Sequence, residues 1–202
     1  MKLKSFLLSL LLCLSASVQG QWETVGKADY DWGPFHIYTV SLASENGQYQ
    51  NDQLPLMISF DYAKPVEGKN FAILMIKEME SLGADKKKTD NWLKLLEKTL
   101  TEDFAPNDRL NFIALPEMSY FVLNDEVLPN TFDPEFTRNF LNVWLSGKGG
   151  FRQLEPLLTG KEKAPSTDSS PKQPEVVPFT EEDASPQLPP NYQFINPHNM
   201  LG

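Results

Sequence analysis

Twenty-seven acidic residues against eighteen basic ones give this 202-residue chain a net charge of −9, which opposes binding to nucleic-acid phosphates or, by charge, to an anionic membrane surface. Its one cysteine, Cys13, falls in a leader-like segment, so the rest of the chain can build no thiol nucleophile, thiolate metal site or disulfide. Two histidines, His36 and His198, are too few for a multi-histidine metal centre, and no metal or cofactor is expected.

Residues 1–20 read as a signal peptide. Lys2 and Lys4 precede a mostly apolar run over residues 6–14, and Val18 and Gly20 stand where a signal peptidase reads small residues. The run is too short to cross a bilayer, so no integral membrane segment is expected after processing. Removing it takes two lysines and moves the net charge to −11. The chain is expected to be exported, to the periplasm in a Gram-negative cell and otherwise to the medium.

Residues 21–160 are expected to form one domain. Residues 24–30 and 35–43 read as strands parted by Gly33-Pro34, with Phe35, Ile37 and Thr39 alternating with His36, Tyr38 and Val40. A polar loop over 44–52 leads to a third strand over 55–63, with Leu56, Ile58 and Phe60 on one face. Asn70 is the expected cap of a helix whose face is Phe71, Leu74, Met75, Met79 and Leu82, ended by Gly83. Thr89 or Asp90 is expected to cap the next, with Trp92, Leu95, Leu96 and Leu100 inward, and Lys86 to Lys88 read as a charged connector before it. Strands follow over 109–115, 120–123 and 126–128, the last two joined by a turn at Asn124-Asp125. In the closing helix Asp133 caps, Pro134 takes the first position, and Phe136, Phe140, Val143 and Trp144 share a face. Gly147, Gly149 and Gly150 end it, and a second apolar helix is expected over 151–158.

Segregated runs of strands and helices predict an α+β fold, an antiparallel sheet with helices on one face. From 161 to 202 the chain holds eight of its sixteen prolines among polar and acidic residues, a composition expected to stay disordered. Within it, Tyr192, Phe194 and Ile195 read either as a docking motif for a protein partner or as chance aromatics.

Little in the chain carries chemistry. His36 reads as an exposed strand histidine, and Glu78, Glu80, Glu97, Glu102 and Asp103 as solvated helix faces. The glycines at 147, 149 and 150 lack phosphate-loop spacing and follow a helix, not a strand. Trp144 and the phenylalanines around it read as core, although such groups also wall apolar ligand pockets.

The stretch from Val25 to Leu158 resembles the bacterial chalcone-isomerase-like family of exported proteins. The resemblance rests on the strand from Ile37 to Leu42, on Ser59-Phe60-Asp61-Tyr62 leading to Glu67-Gly68-Lys69, and on Phe140-Leu141-Asn142-Val143-Trp144-Leu145. It implies an open-faced β-sandwich of chalcone-isomerase type, with a cleft between antiparallel sheet and helical layer. True chalcone isomerases close a flavanone ring with a first-strand arginine and a hydroxyl network. Here Val25 to Tyr30 contains no arginine, and Lys27 lacks the planar fork. Phe71 stands where the enzymes' helix-head tyrosine is expected, whereas Tyr38 falls near their strand threonine and Lys148 near another pocket residue.

The resemblance therefore implies a non-catalytic exported protein holding a small apolar or amphipathic, fatty-acid-like ligand between sheet and helices. Tyr38, Phe71, Trp144 and Lys148 are the ligand-pocket candidates, and no catalytic residue is assigned. Two alternatives stand beside it: an intramolecular lyase or isomerase on an enone, and an envelope interaction protein recruiting its partner through the tail.

Overall fold

The computed structural model describes residues 22–162. The expected signal peptide, the expected tail with its Tyr192 to Ile195 segment, and His198 lie outside the described residues. The elements run β1 Glu23–Trp32, β2 Phe35–Ser44, β3 Leu56–Tyr62, α1 Gly68–Ser81, α2 Lys86–Thr99, β4 Arg109–Ala114, β5 Ser119–Leu123, β6 Glu126–Val127, α3 Pro134–Leu145 and α4 Glu155–Leu158. All strand pairs are antiparallel, in the spatial order β1-β2-β3-β4-β5-β6. This is an α+β fold built on an open meander.

Period-two alternation decides which side of the sheet is covered. Ala28 and Tyr30, Tyr38 and Val40, Ile58 and Phe60, Leu110 and Phe112, and Phe121 are all buried on the inner face. Rings from α1 and α3 meet them there: Phe71 on Phe60, and Phe140 on both Phe112 and Phe121. Trp92 of α2 packs edge-on against Phe136 of α3. No helix among the described residues is long and apolar enough to cross a membrane.

Three local expectations differ from the structure. Helix α1 starts at Gly68 with Glu67 before it, not at Asn70, whose side-chain amide donates instead to Glu67. The earlier start is tertiary: the Gly68 N–H donates to Asp103, and a Cβ on Gly68 would lie 2.4 Å from the Glu102 carbonyl. Helix α2 is capped by Asp85, which accepts the Lys88 N–H, so Lys86 to Lys88 form its first turn and not a connector. Cations there oppose the helix dipole. Carboxylates answer them, Glu80 and Asp90 at Lys86 and Glu135 at Lys88, while Thr89 is buried and donates to Glu80.

The third difference is at the chain's end, where regular helix covers only Glu155–Leu158. Pro156 has no N–H to give to a preceding turn, so helix cannot run back through residue 152. His36 lies on the solvent side of its strand, as expected, but alternation alone does not put it there. By strict alternation it would share the inner face with Tyr38, but the register moves from Tyr30↔Tyr38 to Asp31↔His36, a β-bulge. The extra residue turns His36 outward, where its Nδ1 pairs with Asp31 at 2.9 Å.

Candidate functional site

Three tyrosines stand directly opposite one another on adjacent strands: Tyr30 on β1, Tyr38 on β2 and Tyr62 on β3. All three face inward. Tyr30 and Tyr38 stack with ring centroids 4.9 Å apart, and Tyr62 meets Tyr38 edge-on at 5.6 Å. Phe60 forms the centre of the next layer, contacting Tyr38, Phe71 and Trp144 at 5.8, 5.3 and 5.0 Å. Phe151, just beyond the glycine turn, closes the assembly by packing on Trp144 and Tyr30.

Apolar rings surround this assembly, yet it contains polar groups with nothing to bond. Tyr38, Tyr62 and Trp144 are 3%, 2% and 0% exposed, and the Tyr38 Oη, Tyr62 Oη and Trp144 Nε1 atoms have no hydrogen-bond partner. Burying such a group unsatisfied costs about 1–3 kcal/mol, and native proteins keep few of them. Burial pushes the Tyr38 hydroxyl well above the usual phenol range, the neighbouring Tyr30 and Tyr62 adding to it. Tyr62 is raised in the same way, by burial first and Asp108 second. Both remain neutral donors and cannot serve as bases.

Tyr30 connects the assembly to its polar edge. Its hydroxyl is raised by burial and then by Glu78 of α1, whose carboxylate accepts the Gly150 N–H at 2.9 Å. A Cβ on Gly150 would lie 2.7 Å from that carboxylate, so any larger residue there would make the Glu78 side chain swing aside.

Three of the four residues expected from the sequence are therefore brought together, since Tyr38, Phe71 and Trp144 all touch Phe60. Lys148 is not: it is exposed in the turn, with its backbone N–H on the Ser146 hydroxyl. Sequence reasoning missed Tyr62, Tyr30 and Phe60 as members. The signal was strand parity, because Phe60 and Tyr62 share a face, but placing them beside Tyr38 needs the register. No arginine bonds the buried hydroxyls. Arg109 pairs with Asp61 on the outer face, Arg138 lines a groove elsewhere, and Arg152 donates to the Gly149 carbonyl.

The outer face holds the other chemically suggestive set. His36 Nδ1 meets Asp31 and Nε2 lies 3.3 Å from Thr39 Oγ1, the order of an orienter, a base and a nucleophile. Thr39, however, donates its hydroxyl hydrogen to Asp29 at 2.7 Å, and the pair is open to solvent. The set lacks the desolvation and oxyanion donors that acyl transfer needs. Among the described residues no cluster of His, Cys, Asp or Glu could hold a metal ion.

No protein-family model matches the chain. It is 48% identical over 194 residues to an uncharacterized protein of Haemophilus influenzae (strain ATCC 51907 / DSM 11121 / KW20 / Rd), a match covering 95% of each chain. Coverage that complete takes in most of residues 163–202 as well as the domain. At that identity and coverage, the chain belongs to the family of this Haemophilus protein.

Proposed function

We propose that the chain is an exported binding protein of chalcone-isomerase type that holds a small, mostly apolar molecule between sheet and helices without transforming it. The observation that carries the reading is the set of three buried, unpartnered donors, Tyr38 Oη, Tyr62 Oη and Trp144 Nε1. Donors without acceptors in an aromatic surround suit a guest that is greasy over most of its length and bears an acceptor oxygen. A carbonyl or carboxyl group fits that description, and the guest would part rings that now lie on one another.

Support for a non-catalytic role comes from the same groups. Tyrosines held neutral by burial can donate to a ligand oxygen but cannot take up a proton. Without an arginine beside them, charge developing on a phenolate or enolate has no preorganised counterion.

The test is extraction. Protein expressed through its leader and purified without detergent is denatured, and the released molecules are read by mass spectrometry. One small acceptor-bearing molecule, near one per chain, is the expected result, and the Tyr38→Phe/Tyr62→Phe protein should carry much less. No released molecule from the parent, together with no thermal shift on adding fatty acids or flavonoids, would remove the reading.

A further inference from the structure

We propose that the groove between α3 and the β2–β3 loop is the seat of the chain's own C-terminal stretch, residues 176–181. The groove has two adjoining compartments that share Tyr49, Asp52, Asn142 and Leu145 as walls. One, of about 350 Å³, is polar and includes Lys161; the other, of about 270 Å³, is walled by Leu54, Leu56, Leu115 and Leu141. Arg138 lines the apolar compartment and is exposed, and its guanidinium makes no hydrogen bond or ion pair among the described residues. An apolar slot with an unanswered guanidinium suits an extended peptide that carries apolar side chains and one carboxylate.

The chain delivers such a peptide to the right place. Lys161 lines the polar compartment and pairs with Glu155, and the Glu162 N–H is fixed on the Pro156 carbonyl. The chain therefore leaves the described domain at the groove's polar end. Between Glu162 and residue 176 it can extend about 50 Å at most, against the roughly 18 Å length of the twelve-residue α3. Tethering of this kind supplies an effective concentration near the millimolar range, so a weak contact suffices to fill the groove.

Within that stretch Val177, Phe179 and Glu181 alternate, and an extended chain presents alternate residues on one side. Val177 and Phe179 suit the leucine walls, Glu181 answers Arg138, and Pro178 fixes one φ in advance and lowers the ordering cost. The other apolar stretch, around Tyr192, Phe194 and Ile195, has no acidic side chain within eight residues to meet Arg138. The groove shares no wall with the tyrosine assembly, so this proposal and the binding reading stand or fall separately.

Cysteine pairing in the full chain tests it. With Cys13→Ser as background, Asn142→Cys is combined with either Val177→Cys or Gln193→Cys under mild oxidation. An intramolecular disulfide forming at least about tenfold faster for the 177 pair, independent of protein concentration, is expected. Arg138→Glu should slow that pair, and Glu181→Arg added to it should restore the rate. Equal rates for the two pairs, faster linking at 193, links only between molecules, or indifference to Arg138→Glu would overturn the proposal.

Discussion

A tyrosine hydroxyl with no partner in a closed interior is a liability to stability, and that gives the account its sharpest consequence. Tyr38→Phe removes the buried Oη while keeping the ring that stacks on Tyr30 and meets Phe60 and Tyr62. The variant, stripped of small molecules, should be as stable as the parent or more stable by about 1 kcal/mol in urea titrations. Loss of bound molecule should accompany that gain, the usual relation between a strained site and its use. Alkali gives a second measurement. Burial raises the Tyr38 and Tyr62 hydroxyls above the unfolded value, so their contribution is intact below about pH 10 and fades above it, as the unfolded chain ionises first. Each tyrosine steepens the fall by about 1.4 kcal/mol per pH unit in that window, so stability–pH curves of single Phe variants should flatten.

At the scale of elements, two contacts carry testable weight. Gly26 on β1 lies under α4 so closely that a Cβ would sit 2.0 Å from the Leu157 carbonyl oxygen. Because that obstacle is backbone, Gly26→Ala should lower stability by about 1–3 kcal/mol in a denaturant titration as α4 is pushed off the sheet. Asp133 caps α3 by accepting the Phe136 N–H at 2.8 Å, and Asp133→Ala should remove about 1 kcal/mol. This cap and its Pro134 were legible in the sequence because the motif is local and stands just before a clean apolar face. The caps of α1 and α2 were not. Gly68 begins its helix because residues 102–103 take up its backbone, and Asp85 precedes a lysine run that by itself resembles a connector. The bulge that turns His36 outward was not legible either, since a bulge leaves no mark in an alternating pattern.

For the whole molecule, three strands, two helices, three strands and two helices could be read in order, and with them the α+β class. Hydrophobic period and turn residues are short-range signals, and they carried that much. The site needed more. Tyr30, Tyr38 and Tyr62 become neighbours only through strand register across more than thirty residues, so of these three the sequence offered only Tyr38, beside Phe71 and Trp144, and it added Lys148, which the glycine turn leaves in solvent. Membership in one family with the Haemophilus protein extends over nearly all of both chains, so the stretch after Glu162 belongs to any account of what the molecule does. The central claim is that the three buried donors await a guest's acceptor oxygen. Its most direct test is the urea midpoint of parent and Tyr38→Phe/Tyr62→Phe proteins, each stripped of small molecules and then mixed with the material extracted from the parent. The stripped double variant should match or exceed the parent, and the extract should raise the parent's midpoint alone. A stripped variant clearly weaker than the parent, or an extract that raises both equally, would contradict it.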